Sequence, residues 1–369
     1  MKFTIDRKEL NNAINLVLPG VAGKPVLPVL NGIRCCVRED KLHMETTDLN
    51  IFYETETEVR DVEEPTEVII PAEQLNNIVK ALEDDTLAIV FENNHFSVKS
   101  EHGTFDIPYI TEEFPNIPTS SKQTDEEITL TGTQFKEIIR KIAYATIKKA
   151  DRPIFTGMYI DIKQNQTSFV CTDTHRLSIF KLDREGSKDC NINIPAATMN
   201  DISKMVEDTD EIKISFAENF VIITTGKVTV TLHGISGQFP DYNRIIPKNH
   251  QTAITVKRNA FLNVLNRVSL FSGMDSDYKI IRLMVTGNEL RIQSYGTDAG
   301  HGEETMECTK EGNDINIAFN VKFLTDFCKC VTEDEIQMFF INSLAPALVK
   351  AKDIDNHIYV LTPVRTANR

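Results

Sequence analysis

The residues best suited to chemistry lie in one short run, Thr172-Asp173-Thr174-His175-Arg176-Leu177. A hydroxyl, a carboxylate and an imidazole are the parts of an activated nucleophile, with Asp173 to orient and His175 as base. Neighbouring side chains on a strand point to opposite faces, so adjacent residues rarely assemble such a triad. A hydrolase using Asp173 and His175 is therefore the weaker alternative, and the chain reads as a non-enzyme. Gly296, Gly300 and Gly302 fit neither the dinucleotide nor the P-loop pattern. The other seven histidines form no H-x-x-x-H pair, and the seven cysteines (35, 36, 171, 190, 308, 328 and 330) no C-x-x-C. Reduced, packed thiols are expected, with no metal and no cofactor.

The elements that must position this run recur three times. Strand-like starts at Phe3-Thr4-Ile5, Ile128-Thr129-Leu130 and Ile254-Thr255-Val256 each lead into an apolar stripe with helical spacing. The stripes are Leu10, Ala13, Ile14, Val17; Phe135, Ile138, Ile139, Ile142; and Phe261, Val264, Leu265, Val268. A second set follows: Leu75, Ile78, Val79, Leu82; Met199, Ile202, Ser203, Val206; and Leu324, Phe327, Cys328, Val331. A Thr-Asp pair marks each unit, at Asp48, Asp173 and Asp298, 125 residues apart. Short alternating runs such as 87–91, 211–216 and 221–226 predict antiparallel strands. The expected fold is α+β: three repeated modules, 1–122, 123–250 and 251–369, each with two helices on antiparallel sheet.

The chain of 369 residues is 41% apolar and 25% charged. No apolar stretch approaches the ~20 residues of a membrane-spanning helix. The start, Met1-Lys2-Phe3-Thr4-Ile5-Asp6-Arg7, has no signal-peptide character, so the cytoplasm is the expected compartment. Net charge is −14, which by itself opposes nucleic-acid binding. The distribution reverses that inference. Helices predicted at 6–18, 71–82, 132–149, 195–206, 256–272 and 320–331 carry 14 basic and six acidic residues, leaving 26 basic and 48 acidic elsewhere. Lys136 and Arg140 lie one turn apart, off the apolar stripe. Lys141, Lys148, Lys149, Lys204, Lys257, Arg258 and Arg267 extend the basic set. Equivalent helices from three copies placed around a centre would present these charges to duplex phosphates, without reading sequence. A repeat-built scaffold with solvated basic faces and no DNA role is the other alternative.

Beyond these patterns, the chain resembles the bacterial DNA polymerase III β-subunit family, the sliding clamps, over essentially all of 1–365. The specific pieces are Met1-Lys2-Phe3-Thr4, Leu27-Pro28-Val29-Leu30 with Thr47-Asp48-Leu49, Thr172 to Leu177, Phe239-Pro240-Asp241-Tyr242-Asn243-Arg244, and Val360-Leu361-Thr362-Pro363-Val364-Arg365. The resemblance implies a closed ring formed by a head-to-tail homodimer. It would encircle double-stranded DNA and tether the replicative polymerase, the clamp loader and repair proteins by short linear motifs, with no membrane role. It further implies a partner-peptide pocket of Arg152, Phe155, Thr172, Thr174, His175, Arg176, Leu177, Pro240, Arg244, Ile245, Val360, Thr362, Pro363, Val364 and Arg365. There Arg152, Arg176 and Arg244 would supply donors. Lys24 joins the DNA-facing set, and Phe105 would meet Leu270 and Phe271 across the ring seam. Two positions depart from the family pattern: Thr174, where glycine or another small residue is common, and Thr362, where an apolar residue can occur. The tail 366–369 runs past the common end and is expected to lie partly over the groove.

Overall fold

The computed structural model describes residues 2–23, 27–64, 67–92, 95–116, 126–147, 151–184, 189–217, 219–272, 279–295 and 300–366. Lys24, Lys148, Lys149, Asp298 and the tail 367–369 lie outside them. Six α-helices occur among the described residues: α1 Arg7–Val17, α2 Ala72–Ala81, α3 Gly132–Ile142, α4 Ala196–Met205, α5 Arg258–Val268 and α6 Val321–Cys330.

Each helix forms where its apolar residues repeat at helical spacing. Leu10, Ala13, Ile14 and Val17 of α1 are buried, as are Phe135, Ile138, Ile139 and Ile142 of α3 and Phe261, Val264, Leu265 and Val268 of α5. The α1 N-terminus is capped by Asp6, whose carboxylate accepts from the amides of Lys8 and Glu9, and α6 by Asn320, which accepts from the amide of Lys322. Pro71 and Pro195 end strands immediately before α2 and α4. The third helix is shorter than its predicted span of 132–149. It ends at Ile142 and tightens into a 3₁₀ turn over Ala143–Ala145, with the amide of Ile147 donating to the carbonyl of Phe155.

The strands form four sheets, and all described pairings are antiparallel. The chain divides into two compact units, Met1–Phe135 with Asp201–Gly234, and Lys136–Asn200 with Ile235–Arg369. The first unit holds a five-stranded sheet and an eight-stranded one. In the larger sheet the strand Thr229–His233 pairs with Ile51–Glu58, Thr231 opposite Phe52. The second unit holds a nine-stranded sheet and a four-stranded one. In its larger sheet the strand Arg176–Asp183 pairs with His357–Leu361, Leu177 opposite Val360. Strands from the middle third of the sequence thus complete sheets begun in the first and last thirds, so two compact units contain three sequence repeats.

Two of the Thr-Asp marks have the same structure. Asp173 Oδ1 accepts from the amides of His175 and Arg176, and Asp48 Oδ1 from those of Asn50 and Ile51. The preceding threonines, Thr172 and Thr47, accept through their hydroxyls from the amides of Thr174 and Leu49. Thr174 and Leu49 both take positive φ, 76° and 79°. The repeat therefore preserves a hydrogen-bonded turn as well as a residue pair.

Candidate partner-binding pocket

The second unit contains a cavity of about 240 Å³ at the end of the paired strands Arg176–Asp183 and His357–Leu361. Its buried base is the cross-strand pair Leu177 and Val360, in one apolar cluster with Val170, Ile179 and Tyr242. Phe239 stacks on Tyr159 with centroids 4.4 Å apart, and Phe155 meets the edge of Phe239. The Tyr242 hydroxyl donates to Asp161 at 2.9 Å, fixing a ring whose hydroxyl pKa is pushed up to about 12, chiefly by burial. Ile245 at the rim is 48% exposed. An apolar cavity with a few polar groups at its mouth suits one or two hydrophobic side chains of a ligand.

Ten of the fifteen expected pocket residues line this cavity: Phe155, Thr172, Thr174, His175, Arg176, Leu177, Pro240, Ile245, Val360 and Thr362. Arg152, Arg244, Pro363, Val364 and Arg365 do not. Arg244 is 84% exposed at its side chain and pairs with Asp241 at 2.9 Å. The C-terminal segment leaves the pocket after Thr362, because the Val364 amide donates to the carbonyl of Ala318 and the Thr366 hydroxyl accepts from Arg282. Thr366 is thereby tied to the strand Ile280–Thr286, while the rest of the tail expected over the groove, 367–369, lies outside the described residues. The Thr362 hydroxyl donates to the His175 carbonyl, so this polar residue brings no unmet donor into an apolar site.

Arg176 differs from expectation in role. Its side chain is 6% exposed, and its donors go to Asp173 (2.9 Å), Asp326 (2.7 Å) and the Tyr144 carbonyl (2.7 Å). Three of its five N–H donors are thus engaged within the protein, and it acts as a strut for the turn that borders the pocket. The same bonds bear on the hydrolase alternative. Both Asp173 oxygens are engaged, Oδ1 by turn amides and Oδ2 by Arg176, so the carboxylate holds the turn in place of orienting an imidazole. Phe239, Asp241, Tyr242 and Pro346 line the cavity without having been predicted there. The first three flank Pro240 in the run Phe239 to Tyr242, which was the available signal. Pro346 lies in a strand connection with no pattern of its own.

The basic residues separate into two groups. Arg140, Lys204, Lys257 and Arg267 are exposed, and Lys136 is half-buried. Lys204 pairs with Asp201, Lys257 with Glu335, and Arg267 with both oxygens of Glu304. Such solvent-exposed pairs are weakened by water and screened by salt, so they hold these side chains only loosely. Lys141 must be withdrawn from the set. It is 2% exposed, with its ammonium 2.7 Å from Glu137 and over the ring of Phe180. It lies three residues after Ile138, at the edge of the buried stripe, and chain packing closes over it. Arg258 is also diverted: its guanidinium donates to the carbonyls of Glu333 and Cys328 near the C-terminus of α6. With the observed bounds the six helices still carry eleven basic and five acidic residues.

Phe105, Leu270 and Phe271 are exposed apolar residues, at 39%, 69% and 39%. The Phe271 ring lies against Gly302, where an added Cβ would stand 2.6 Å from it. Six of the seven cysteines are buried and Cys190 is half-buried.

Repeated two-helix modules, continuous antiparallel sheets and an apolar strand-end pocket define a binding protein of the clamp type. Residues 1–118, 129–241 and 243–365 match the N-terminal, central and C-terminal domains of the DNA polymerase III beta subunit in turn. The chain belongs to the DNA polymerase III beta subunit family. A Staphylococcus epidermidis protein described as a beta sliding clamp is 28% identical over 99% of this chain and 100% of that protein. The solved DNA polymerase sliding clamp of Bacillus subtilis has a TM-score of 0.94 at 25% identity, covering 99% of each chain. The DNA polymerase III subunit beta of Pseudomonas aeruginosa has a TM-score of 0.93 at 25% identity, covering 99% of this chain and 100% of that one.

Proposed function

We propose that this chain is a DNA sliding clamp, a processivity factor that encircles duplex DNA and tethers a polymerase without catalysing a reaction. The observation that carries this reading is the run of three successive beta-subunit domain matches along nearly the whole chain. Two copies close a ring head to tail in the cytoplasm, each contributing modules 1–122, 123–250 and 251–369, with Phe105 of one meeting Leu270 and Phe271 of the other. Lys24, Lys136, Arg140, Lys148, Lys149, Lys204, Lys257 and Arg267 contact phosphates irrespective of sequence. Short linear motifs of the polymerase, the clamp loader and repair proteins take turns in the pocket, inserting apolar side chains over Leu177 and Val360. Tethering raises the polymerase's effective concentration at the primer end without any new chemistry.

The test is retention on nicked circular duplex after loading by a bacterial clamp loader. The protein should remain on the circle and be lost once a restriction enzyme linearises it. Equal retention on both forms would contradict encirclement.

A further inference from the structure

The wall of the pocket is held by a residue outside it. Arg176 borders the cavity, yet its guanidinium points into a nearly closed cluster, 4.6 Å from the ring centroid of Phe323 and 5.3 Å from that of Tyr144. Within that cluster Asp326 of α6 accepts from Arg176 Nη1 at 2.7 Å, while Arg176 Nε reaches Asp173 Oδ2 at 2.9 Å. Asp173 Oδ1 in turn holds the amides of His175 and Arg176. A continuous ionic chain thus runs from α6 to the turn that places Thr174 and His175 on the pocket. Asp326 is not itself a lining residue.

Resting on the reading of this cavity as the partner site, we propose that Asp326 is a positioning residue for peptide binding, acting through Arg176. A guanidinium that loses one of two carboxylates in a nearly buried site relaxes toward water. Arg176 borders the cavity, so that relaxation disturbs the pocket and loosens the turn. Asp326 has a second partner, Lys322 one turn earlier on the same helix, with Nζ 3.0 Å from Oδ2. The Lys322 side chain is 63% exposed. An ion pair that merely supports the helix would involve Lys322 as much as Asp326, and this separates the two roles.

The experiment measures binding of a fluorescent peptide with a leucine–phenylalanine anchor to the full-length protein by anisotropy, with folding followed by circular dichroism. Asp326→Asn should raise Kd about tenfold, equivalent to about 1.4 kcal/mol. Asp326→Glu, which keeps the charge but displaces it by a methylene, should weaken binding about threefold, and Lys322→Ala should stay within twofold of wild type. If Asp326→Asn does not fold, the order of Asp326→Glu against Lys322→Ala still decides. Lys322→Ala weakening binding as much as the Asp326 variants would assign Asp326 to helix support and overturn the proposal, as would unchanged affinity in both Asp326 variants. A wild-type chain that does not bind the peptide refutes the pocket reading itself, a distinct result.

Discussion

Thr174 is a β-branched residue at φ 76°, in the left-handed region, and it stands on the pocket lining. Such a conformation costs on the order of 1–3 kcal/mol and persists because Asp173 and Thr172 secure the turn on both sides. Thr174→Gly should raise stability by about 1 kcal/mol in denaturant unfolding and widen the pocket mouth; a destabilised variant would contradict the strain. His357 is a second residue under constraint. It is fully buried and stacked on Phe327, with Nε2 near Ser178 and the Lys141 carbonyl. Burial, helped by the Lys141 charge, pushes its pKa down to about 3 from the ordinary 6.5. Between those values the unfolded chain binds a proton that the native chain does not, so stability falls as pH drops through that window. The slope is at most about 1.4 kcal/mol per pH unit. His357→Gln should flatten the pH dependence of the unfolding midpoint between pH 6.5 and 4; an unchanged slope would contradict the assignment.

Among the elements, the helices were the most legible, because a stripe repeating at helical spacing states which face is buried before any partner is known. The same stripes could not place Lys141, whose burial depends on Glu137, on Glu333 some 190 residues away in sequence and on the ring of Phe180. Nor could they place Arg176, whose partners Asp326 and Tyr144 lie 150 and 32 residues away. Side chains at the margin of a stripe take their role from contacts between distant segments, which spacing does not encode. Helix α3 provides the corresponding test. Arg140→Glu should weaken binding to duplex DNA several-fold and lower the salt dependence by about one unit of slope, whereas Lys141→Met should leave both unchanged in filter or anisotropy titrations. Loss of DNA binding in Lys141→Met with an intact fold would return that lysine to the phosphate-facing set.

At the scale of the molecule, the period of about 125 residues was evident from sequence, but the joining of sheets across repeat boundaries was not, because strand partners such as Thr231 and Phe52 belong to different repeats. Leu270 and Phe271 are exposed at the end of α5 and suit burial against a second copy. Phe271→Asp should shift the protein from dimer to monomer in sedimentation at low micromolar concentration, while a dimer of undiminished stability would move the seam elsewhere. The most direct test of the account is imaging of the purified protein by cryo-electron microscopy. Closed two-fold rings with a central opening that passes a B-form duplex, and with the basic helices on the inner wall, are the predicted result; particles with no such opening, or with those helices outward, would contradict it.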